Sequence, residues 1–214
     1  ATMLDLGKRS IIQWDKNGLY ALEGDHVVIS KDAGKTWTNF YNVGKVDNII
    51  ISPDGKNVAF SKAVLVEKVN VTDLYQDTPK SSAQVYTDLN YRHWDTWSDG
   101  TYNHIFVVNT DVSVDKAKDL LEGKKFDAPQ KPFGGAEDFL WSPDSKELLF
   151  VMKPKSGKDY ATSTNTDIFA YNLASSVTTN LSEGMMGYDL NPKFSPDGTS
   201  LLWQSMARDG YESD

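Results

Sequence analysis

The chain has 214 residues and a formal net charge of −8, and 39% of its residues are hydrophobic and 12% aromatic. This apolar and aromatic content is typical of a folded core rich in β-strands and excludes a disordered chain. Arginine is rare, with Arg9, Arg92 and Arg208 as its only copies, so the sequence predicts no basic patch and no nucleic-acid partner.

Cysteine is absent, and the three histidines lack the spacing of paired metal ligands. We therefore predict no metal site, no cofactor and no cysteine nucleophile. The chain also contains no apolar run of the roughly 20 residues that a membrane-spanning helix needs, so we expect no membrane span.

Residues 8–46 contain four short strand candidates, RSIIQWD, GLYALEG, DHVVIS and TWTNFYN, separated by turn residues. Between the last two, residues 30–37 (SKDAGKTW) fit the Asp-box pattern of sialidases and other glycan-handling propellers. In that pattern Asp32 ties the turn, Gly34 supplies a permissive backbone and Trp37 packs between strands. One Asp-box in an arginine-poor chain is weak support for a glycan-active protein.

A second phrase, Ser-Pro-Asp-Gly or nearly so, occurs within residues 49–61, 139–151 and 194–205. Each copy lies between two apolar runs, which predicts a β-hairpin. We predict that the aspartates of these copies form the turns and are neither metal ligands nor paired catalytic carboxylates: Asp54, Asp144 and Asp197. Ser145 replaces the glycine of the middle copy, which is tolerable if Ser145 avoids the left-handed backbone region.

The repeated hairpins predict an all-β fold, a partial β-propeller of about three to four blades, each a four-stranded antiparallel sheet. We expect one incomplete propeller domain over residues 1–214, with blades at roughly 8–46, 47–124, 135–185 and 186–214, the last of them partial. The second unit carries an insertion, TDLYQDTPKSSAQVYTDLNYRHWDTW or most of it.

Two long motifs identify a family resemblance. Residues 91–108 (YRHWDTWSDGTYNHIFVV) and 203–214 (WQSMARDGYESD) resemble stretches in the propellers of dipeptidyl peptidase V and acylaminoacyl peptidases, serine exopeptidases of the prolyl oligopeptidase clan. The resemblance extends from about residue 47 to the end, whereas the first 46 residues depart from the family pattern.

The resemblance implies a seven- or eight-bladed propeller that caps a C-terminal α/β-hydrolase domain carrying a Ser-Asp-His triad. This chain contains no G-x-S-x-G nucleophile motif, so we expect an N-terminal piece of a longer peptidase, with no catalytic residues of its own. Its expected partners are the C-terminal hydrolase domain and the peptide substrates of the parent enzyme, whose access to the hydrolase site it gates.

Candidate substrate-path residues lie in the insertion: Arg92, Trp94, Asp95 and Trp97. The alternative interpretation is that both tryptophans fill a gap between blades while Arg92 and Asp95 satisfy each other or nearby backbone. Near the end of the chain, the candidates for anchoring a peptide terminus are Arg208, Tyr211 and Glu212, and the alternative there is a surface salt link.

An alternative function is a protein-binding propeller of the Tol-system kind with no enzyme attached. Open blade edges predict a possible homodimer. The resemblance implies a periplasmic or secreted location and leaves a cytoplasmic one open.

Overall fold

The computed structural model describes residues 6–210, which form four antiparallel sheets in chain order and a separate two-stranded ribbon. The first sheet is a four-stranded meander of consecutive strands: β1 (Ser10–Asp15), β2 (Gly18–Glu23), β3 (His26–Ser30) and β4 (Thr38–Asn42). Tight turns join β1 to β2 and β2 to β3, because the Asn-Gly and Gly-Asp pairs there accept the backbone angles of hairpins. Residues 31–37, which include most of the Asp-box, join β3 to β4.

The second sheet has four strands, and a long segment separates its two central ones. Its strands are β5 (Asp47–Ile51), β6 (Asn57–Leu65), β9 (Thr101–Asn109) and β10 (Lys118–Asp119), in the order β10-β9-β6-β5. The segment between β6 and β9 contains a short helix and a two-stranded ribbon: α1 (Val71–Leu74), β7 (Arg92–His93) and β8 (Thr96–Trp97). A 3-10 turn, Val114–Lys116, precedes β10.

The third sheet is again a four-stranded meander, and the fourth has two described strands. The third follows the 3-10 turn Ala136–Asp138 and consists of β11 (Phe139–Trp141), β12 (Glu147–Met152), β13 (Asp167–Asn172) and β14 (Thr178–Asn180), with helix α2 (Gly157–Thr162) between β12 and β13. The fourth is the hairpin β15 (Asp189–Phe194) and β16 (Leu201–Ser205).

The sheets stack face to face in chain order, and their first strands meet along one edge. Strand β5 contacts β1 and β11, and β11 contacts β15. At this edge Gln13 bridges two sheets, since its Nε2 donates to the Ile51 carbonyl oxygen at 2.9 Å and its Oε1 accepts from the Ile51 N–H at 2.9 Å. Three four-stranded sheets and a hairpin that share an inner edge and cover each other's faces form a partial β-propeller, as the sequence predicted.

Three apolar clusters fill the spaces between successive sheets. Strand β12 shows why these strands are apolar throughout: Leu148 and Phe150 pack toward the second sheet, whereas Leu149 and Val151 pack toward the fourth. Alternate residues of a strand point to opposite faces, so a blade with neighbours on both sides needs apolar residues at every position.

The middle turn corrects one expectation. Ser145 does not avoid the left-handed region, because its φ is +62°. Its hydroxyl oxygen accepts a hydrogen bond from the backbone N–H of Asp54 in the neighbouring sheet at 3.1 Å. The contact between sheets thus accompanies a backbone conformation that is costly for a non-glycine residue.

Over residues 6–210, the longest α-helix has six residues, and no helix is long and apolar enough to cross a bilayer. In the same range, no group of three or more His, Asp or Glu side chains is arranged to hold a metal ion.

Candidate functional site

Residues 66–100, which we call the arch, leave the second sheet at the end of β6 and return at the start of β9. Both ends are fixed at one point, because the backbone N–H groups of Val66 and Glu67 donate to the Gly100 carbonyl oxygen at 3.0 and 3.1 Å. Gly100 has a φ of +81°, and a Cβ at this position would lie 1.8 Å from the Glu67 carbonyl oxygen. Only glycine permits this close approach of the two ends.

An aromatic trio holds the distal part of the arch together. The rings of Tyr86, Tyr91 and Trp97 contact one another at centroid distances of 5.4 to 6.1 Å. The Tyr86 hydroxyl donates to the Ser98 carbonyl oxygen at 2.6 Å, and the Arg92 guanidinium lies 5.4 Å from the Trp97 ring. Stacked rings and a cation–π contact give the distal part of the arch its own local order.

Two adjacent cavities lie between the arch and the second and third sheets. Their volumes are about 410 and 310 Å³, a range typical of small-ligand sites. Four residues line both cavities, so the two form one continuous cleft: Asn90, His93, Lys131 and Tyr160.

A buried carboxylate lies in the wall of the larger cavity. Asp127 accepts a hydrogen bond from the Asn103 backbone N–H at 2.7 Å and pairs with the Lys131 ammonium at 3.2 Å. Burial raises the pKa of Asp127, and the charge of Lys131 opposes that rise. The hydrogen bond from Asn103 thereby fixes the loop after β10 against β9 beside the cleft.

The junction of the two cavities is built from the loop before β11 and from α2. Gln130 is buried, and its Nε2 donates to the Tyr160 hydroxyl oxygen at 3.0 Å. Lys153, on the segment that follows β12, donates to the Tyr160 carbonyl oxygen at 3.1 Å and lies 3.7 Å from its ring centroid. Burial, followed by the charge of Asp127, raises the pKa of Tyr160 to about 12.

Two exposed rings meet at the edge of the cleft. Trp94 on the arch and Phe133 in the loop before β11 are 68% and 63% exposed, and their centroids are 5.8 Å apart in an edge-to-face contact. The contact therefore joins the arch to the loop while leaving most of both rings open to solvent.

The predicted path residues all lie in the ribbon of the arch, where Trp94 and Asp95 form the turn between β7 and β8. Trp94 is 68% exposed, whereas Trp97 is 49% exposed and stacks on Tyr86 and Tyr91. The substrate-path and gap-filling interpretations of the two tryptophans both stay predictions. Arg92 and Asp95 are not paired within the described residues: the Arg92 Nε donates to the Trp94 carbonyl oxygen at 2.7 Å, and Asp95 accepts from the Thr96 hydroxyl at 3.5 Å. Arg92 and Trp97 line the larger cavity.

Of the three candidates near the end of the chain, only Arg208 lies within the described residues. Arg208 is exposed in the turn after β16. The neighbouring Asp209 carboxylate accepts hydrogen bonds from the Ser163 hydroxyl and the Thr164 backbone N–H, at 2.7 and 2.8 Å. Tyr211 and Glu212 lie outside the described residues.

The repeated aspartates have the same local bonds in each turn. Asp54 and Asp144 each accept from the serine two residues earlier, at 2.6 and 2.7 Å, and Asp197 does so from Ser195. In the Asp-box, Asp32 accepts from the Thr36 backbone N–H at 2.8 Å. These carboxylates are engaged with their own turns.

Sequence analysis did not single out five residues that line the cleft: Tyr86, Asp127, Gln130, Lys131 and Tyr160. They come from three separate segments and belong to no repeated phrase. Only the aromatic richness of the insertion could have pointed to Tyr86.

These observations define the class of the molecule: a partial β-propeller whose second blade carries an arch over a ligand-sized cleft. No family model matches the chain. Among curated proteins, it is 48% identical over 172 residues to dipeptidyl-peptidase 5 of Porphyromonas gingivalis, covering 80% of this chain and 25% of the relative. It is 43% identical over 172 residues to dipeptidyl-peptidase 5 of Porphyromonas endodontalis, with the same shares of each chain.

The chain is thus a homologue of the proteins named dipeptidyl-peptidase 5, which confirms the resemblance seen in the sequence, and it spans about a quarter of their length. Similar solved structures include TolB from Acinetobacter baumannii, at 14% identity and TM-score 0.46 over 91% of this chain and 37% of that one. A protein described as a putative dipeptidyl aminopeptidase IV, from Bacteroides ovatus, has 13% identity and TM-score 0.46 over 93% of this chain and 28% of that one.

Proposed function

We propose that this chain is the N-terminal part of the propeller of a dipeptidyl peptidase, and that it gates the access of peptides to a hydrolase domain located elsewhere in the polypeptide. The observation that carries the proposal is the 48% identity to dipeptidyl-peptidase 5 over 172 residues. The homology supports a peptidase-related propeller, and the cleft under the arch supplies a place where gating can act.

The shape of the arch supports gating. Its base is fixed at Gly100, whereas its distal part is held by exposed aromatic contacts such as the one between Trp94 and Phe133. Exposed contacts of this kind are weak, so the distal part can move while the base stays in place. A cleft of this size admits a short or unfolded peptide and excludes a folded protein.

The surroundings of His104 support a non-catalytic role for this chain. Both His104 ring nitrogens are engaged, Nδ1 with the Asp119 carboxylate at 2.8 Å and Nε2 with the Lys124 carbonyl oxygen at 3.0 Å, and the side chain is fully buried. A general base needs a ring nitrogen within reach of its nucleophile and substrate. His104 instead connects β9 to the loop after β10.

Two measurements test whether hydrolysis requires a part of the polypeptide outside this chain. The 214-residue chain should release no product from dipeptide or acyl-amino-acid reporter substrates, whereas the full-length gene product should. Turnover by the 214-residue chain would defeat the proposal, as would a downstream reading frame that ends without a G-x-S-x-G segment.

Gating is tested in the full-length gene product with Trp97→Ala, which removes one ring of the aromatic trio. We expect kcat/KM for peptides of eight or more residues to change relative to that for a dipeptide reporter. Trp14→Ala is the matched control, because Trp14 is an exposed tryptophan on β1 in the first sheet. If the ratio of kcat/KM for long peptides to kcat/KM for the dipeptide reporter is the same in Trp97→Ala and Trp14→Ala, the arch does not select peptides by length.

The alternative of a Tol-type binding propeller has less support, because the curated relatives that are 48% and 43% identical to this chain are named dipeptidyl-peptidase 5. The homodimer through open edges and the periplasmic or secreted location stay predictions.

A further inference from the structure

We propose that the joined cleft binds an extended peptide segment, holding one backbone amide at Gln130 and Tyr160 and an apolar side chain at Trp94 and Phe133. The proposal deepens the proposed function and rests on it for the source of the peptide.

The junction of the cavities has an unused hydrogen-bond acceptor. Gln130 is only 5% exposed, and its Nε2 donates to the Lys131 carbonyl oxygen at 3.1 Å and to the Tyr160 hydroxyl oxygen at 3.0 Å. Its Oε1 is buried and has no hydrogen-bond partner. A buried acceptor without a donor is costly, which favours a ligand that supplies an N–H.

The same junction has an available donor. The Tyr160 hydroxyl oxygen accepts from Gln130, and among the described hydrogen bonds its own proton is donated to no group. The pKa of Tyr160, raised to about 12 by burial and by the charge of Asp127, keeps this proton in place at neutral pH. One acceptor and one donor side by side match a peptide backbone, which offers one C=O and one N–H per residue.

The charges of the larger cavity favour a ligand without a large net charge. Four acidic and four basic residues line it: Glu67, Asp88, Asp99, Asp127, Arg92, Lys125, Lys131 and Lys155. Two of these pairs neutralise each other directly, Lys125 with Glu67 at 2.9 Å and Lys131 with Asp127 at 3.2 Å. A phosphate-bearing ligand would instead need a surplus of cations.

The edge of the cleft supplies apolar contact. Phe133 lines the smaller cavity, and Trp94 contacts both Phe133 and His93, which lines both cavities. An aromatic or aliphatic side chain projecting from a bound peptide would cover the exposed faces of these two rings, and such contacts favour binding.

The test uses the intact 214-residue chain and a fluorescein-labelled octapeptide of glycine and serine with two central phenylalanines, with both termini blocked. Binding is measured by fluorescence anisotropy. We expect saturable binding, and weaker binding of the same peptide with both phenylalanines replaced by serine. Tyr160→Phe, which removes only the hydroxyl, and Trp94→Ala should each raise Kd about three- to tenfold.

Trp14→Ala is the matched control and should leave Kd unchanged. Circular dichroism and thermal melting establish that each variant is folded, and Tyr160→Phe keeps the test valid if Trp94→Ala disturbs the arch. The proposal is overturned if the folded chain does not bind the octapeptide, or if Tyr160→Phe and Trp94→Ala bind it as wild type does. Reporter hydrolysis by the full-length gene product is measured separately, so failure of this site and failure of the peptidase assignment give different results.

Discussion

The Ser145 hydroxyl oxygen accepts a hydrogen bond from the Asp54 backbone N–H at 3.1 Å, although 91 residues separate the two in the chain. Both belong to Ser-Pro-Asp turns, one in the second sheet and one in the third. Gly198, in the turn of the fourth sheet, continues the row, since a Cβ there would lie 3.0 Å from Pro143. The repeated turns are therefore neighbours in space, and they help to hold successive blades together.

Ser145→Ala should destabilise the chain more than Ser145→Gly does. Ser145 is 6% exposed, and the alanine variant leaves the Asp54 N–H without its acceptor at a cost of about 1–3 kcal/mol. The glycine variant loses the same hydrogen bond, but glycine adopts a φ of +62° without the steric cost that serine or alanine has there. This difference stabilises the glycine variant by about 1 kcal/mol relative to the alanine variant. Urea denaturation of both variants gives the difference, and an alanine variant as stable as wild type would contradict the role of this bond.

In these turns, local hydrogen bonds could be predicted from the sequence, whereas contacts between sheets could not. The bonds within a turn, such as that from the Ser52 hydroxyl to Asp54, depend on residues two apart, so the turn chemistry predicts them. The left-handed φ of Ser145 belongs to the turn itself, because Gly55 and Gly198 occupy the equivalent positions with a φ of +72°. What could not be predicted is the hydrogen bond that Ser145 accepts from Asp54 in another sheet. The four-stranded units could likewise be predicted from the sequence, because apolar runs and turn residues that are close together in the chain define each strand and each turn.

The cleft could not be predicted from the sequence, because residues from separate segments form it. The insertion was visible as an interruption of the repeat, and its aromatic residues marked Trp94 and Trp97. Asp127 and Tyr160, however, reach the cleft from the loop after β10 and from α2, and only the stacking of the second and third sheets brings them beneath the arch.

The Asp-box should contribute stability that depends on pH. The hydroxyl and backbone N–H of Thr36 donate to the Asp32 carboxylate and lower its pKa from 3.8 to about 2. A carboxylate with a lowered folded-state pKa stabilises the fold above pH 3.8, and this contribution is lost as the pH falls toward 2. The difference in unfolding free energy between wild type and Asp32→Asn should therefore shrink over that interval.

Thr36→Val is the matched variant for this titration, because it removes the hydroxyl and keeps the backbone N–H. It should raise the pKa of Asp32 only part of the way, as followed by NMR of the side-chain carboxyl carbon. An unchanged pKa in Thr36→Val would show that the hydroxyl does not stabilise the carboxylate.

His104→Phe should be strongly destabilising. The ring is fully buried, and its loss leaves the Asp119 Oδ2 and the Lys124 carbonyl oxygen without their donors. Unpaired groups of this kind cost about 3 kcal/mol. The control His26→Phe changes an exposed residue of β3 and should stay within about 0.5 kcal/mol of wild type. Equal stabilities of the two variants in guanidinium denaturation would show that the hydrogen bonds of His104 do not stabilise the fold.

Gly100→Ala should release the base of the arch. The new Cβ would lie 1.8 Å from the Glu67 carbonyl oxygen at a φ of +81°, so the backbone of one end has to move. Gly123→Ala is the matched control, because Gly123 has a φ of +71° but nothing within 4 Å of the added Cβ. Both variants carry the dihedral cost of about 1 kcal/mol, and only Gly100→Ala adds the collision. Limited proteolysis should then cleave residues 66–100 at least several times faster in Gly100→Ala than in Gly123→Ala. Equal cleavage rates would mean that the contact between Gly100 and Glu67 does not hold the arch in place.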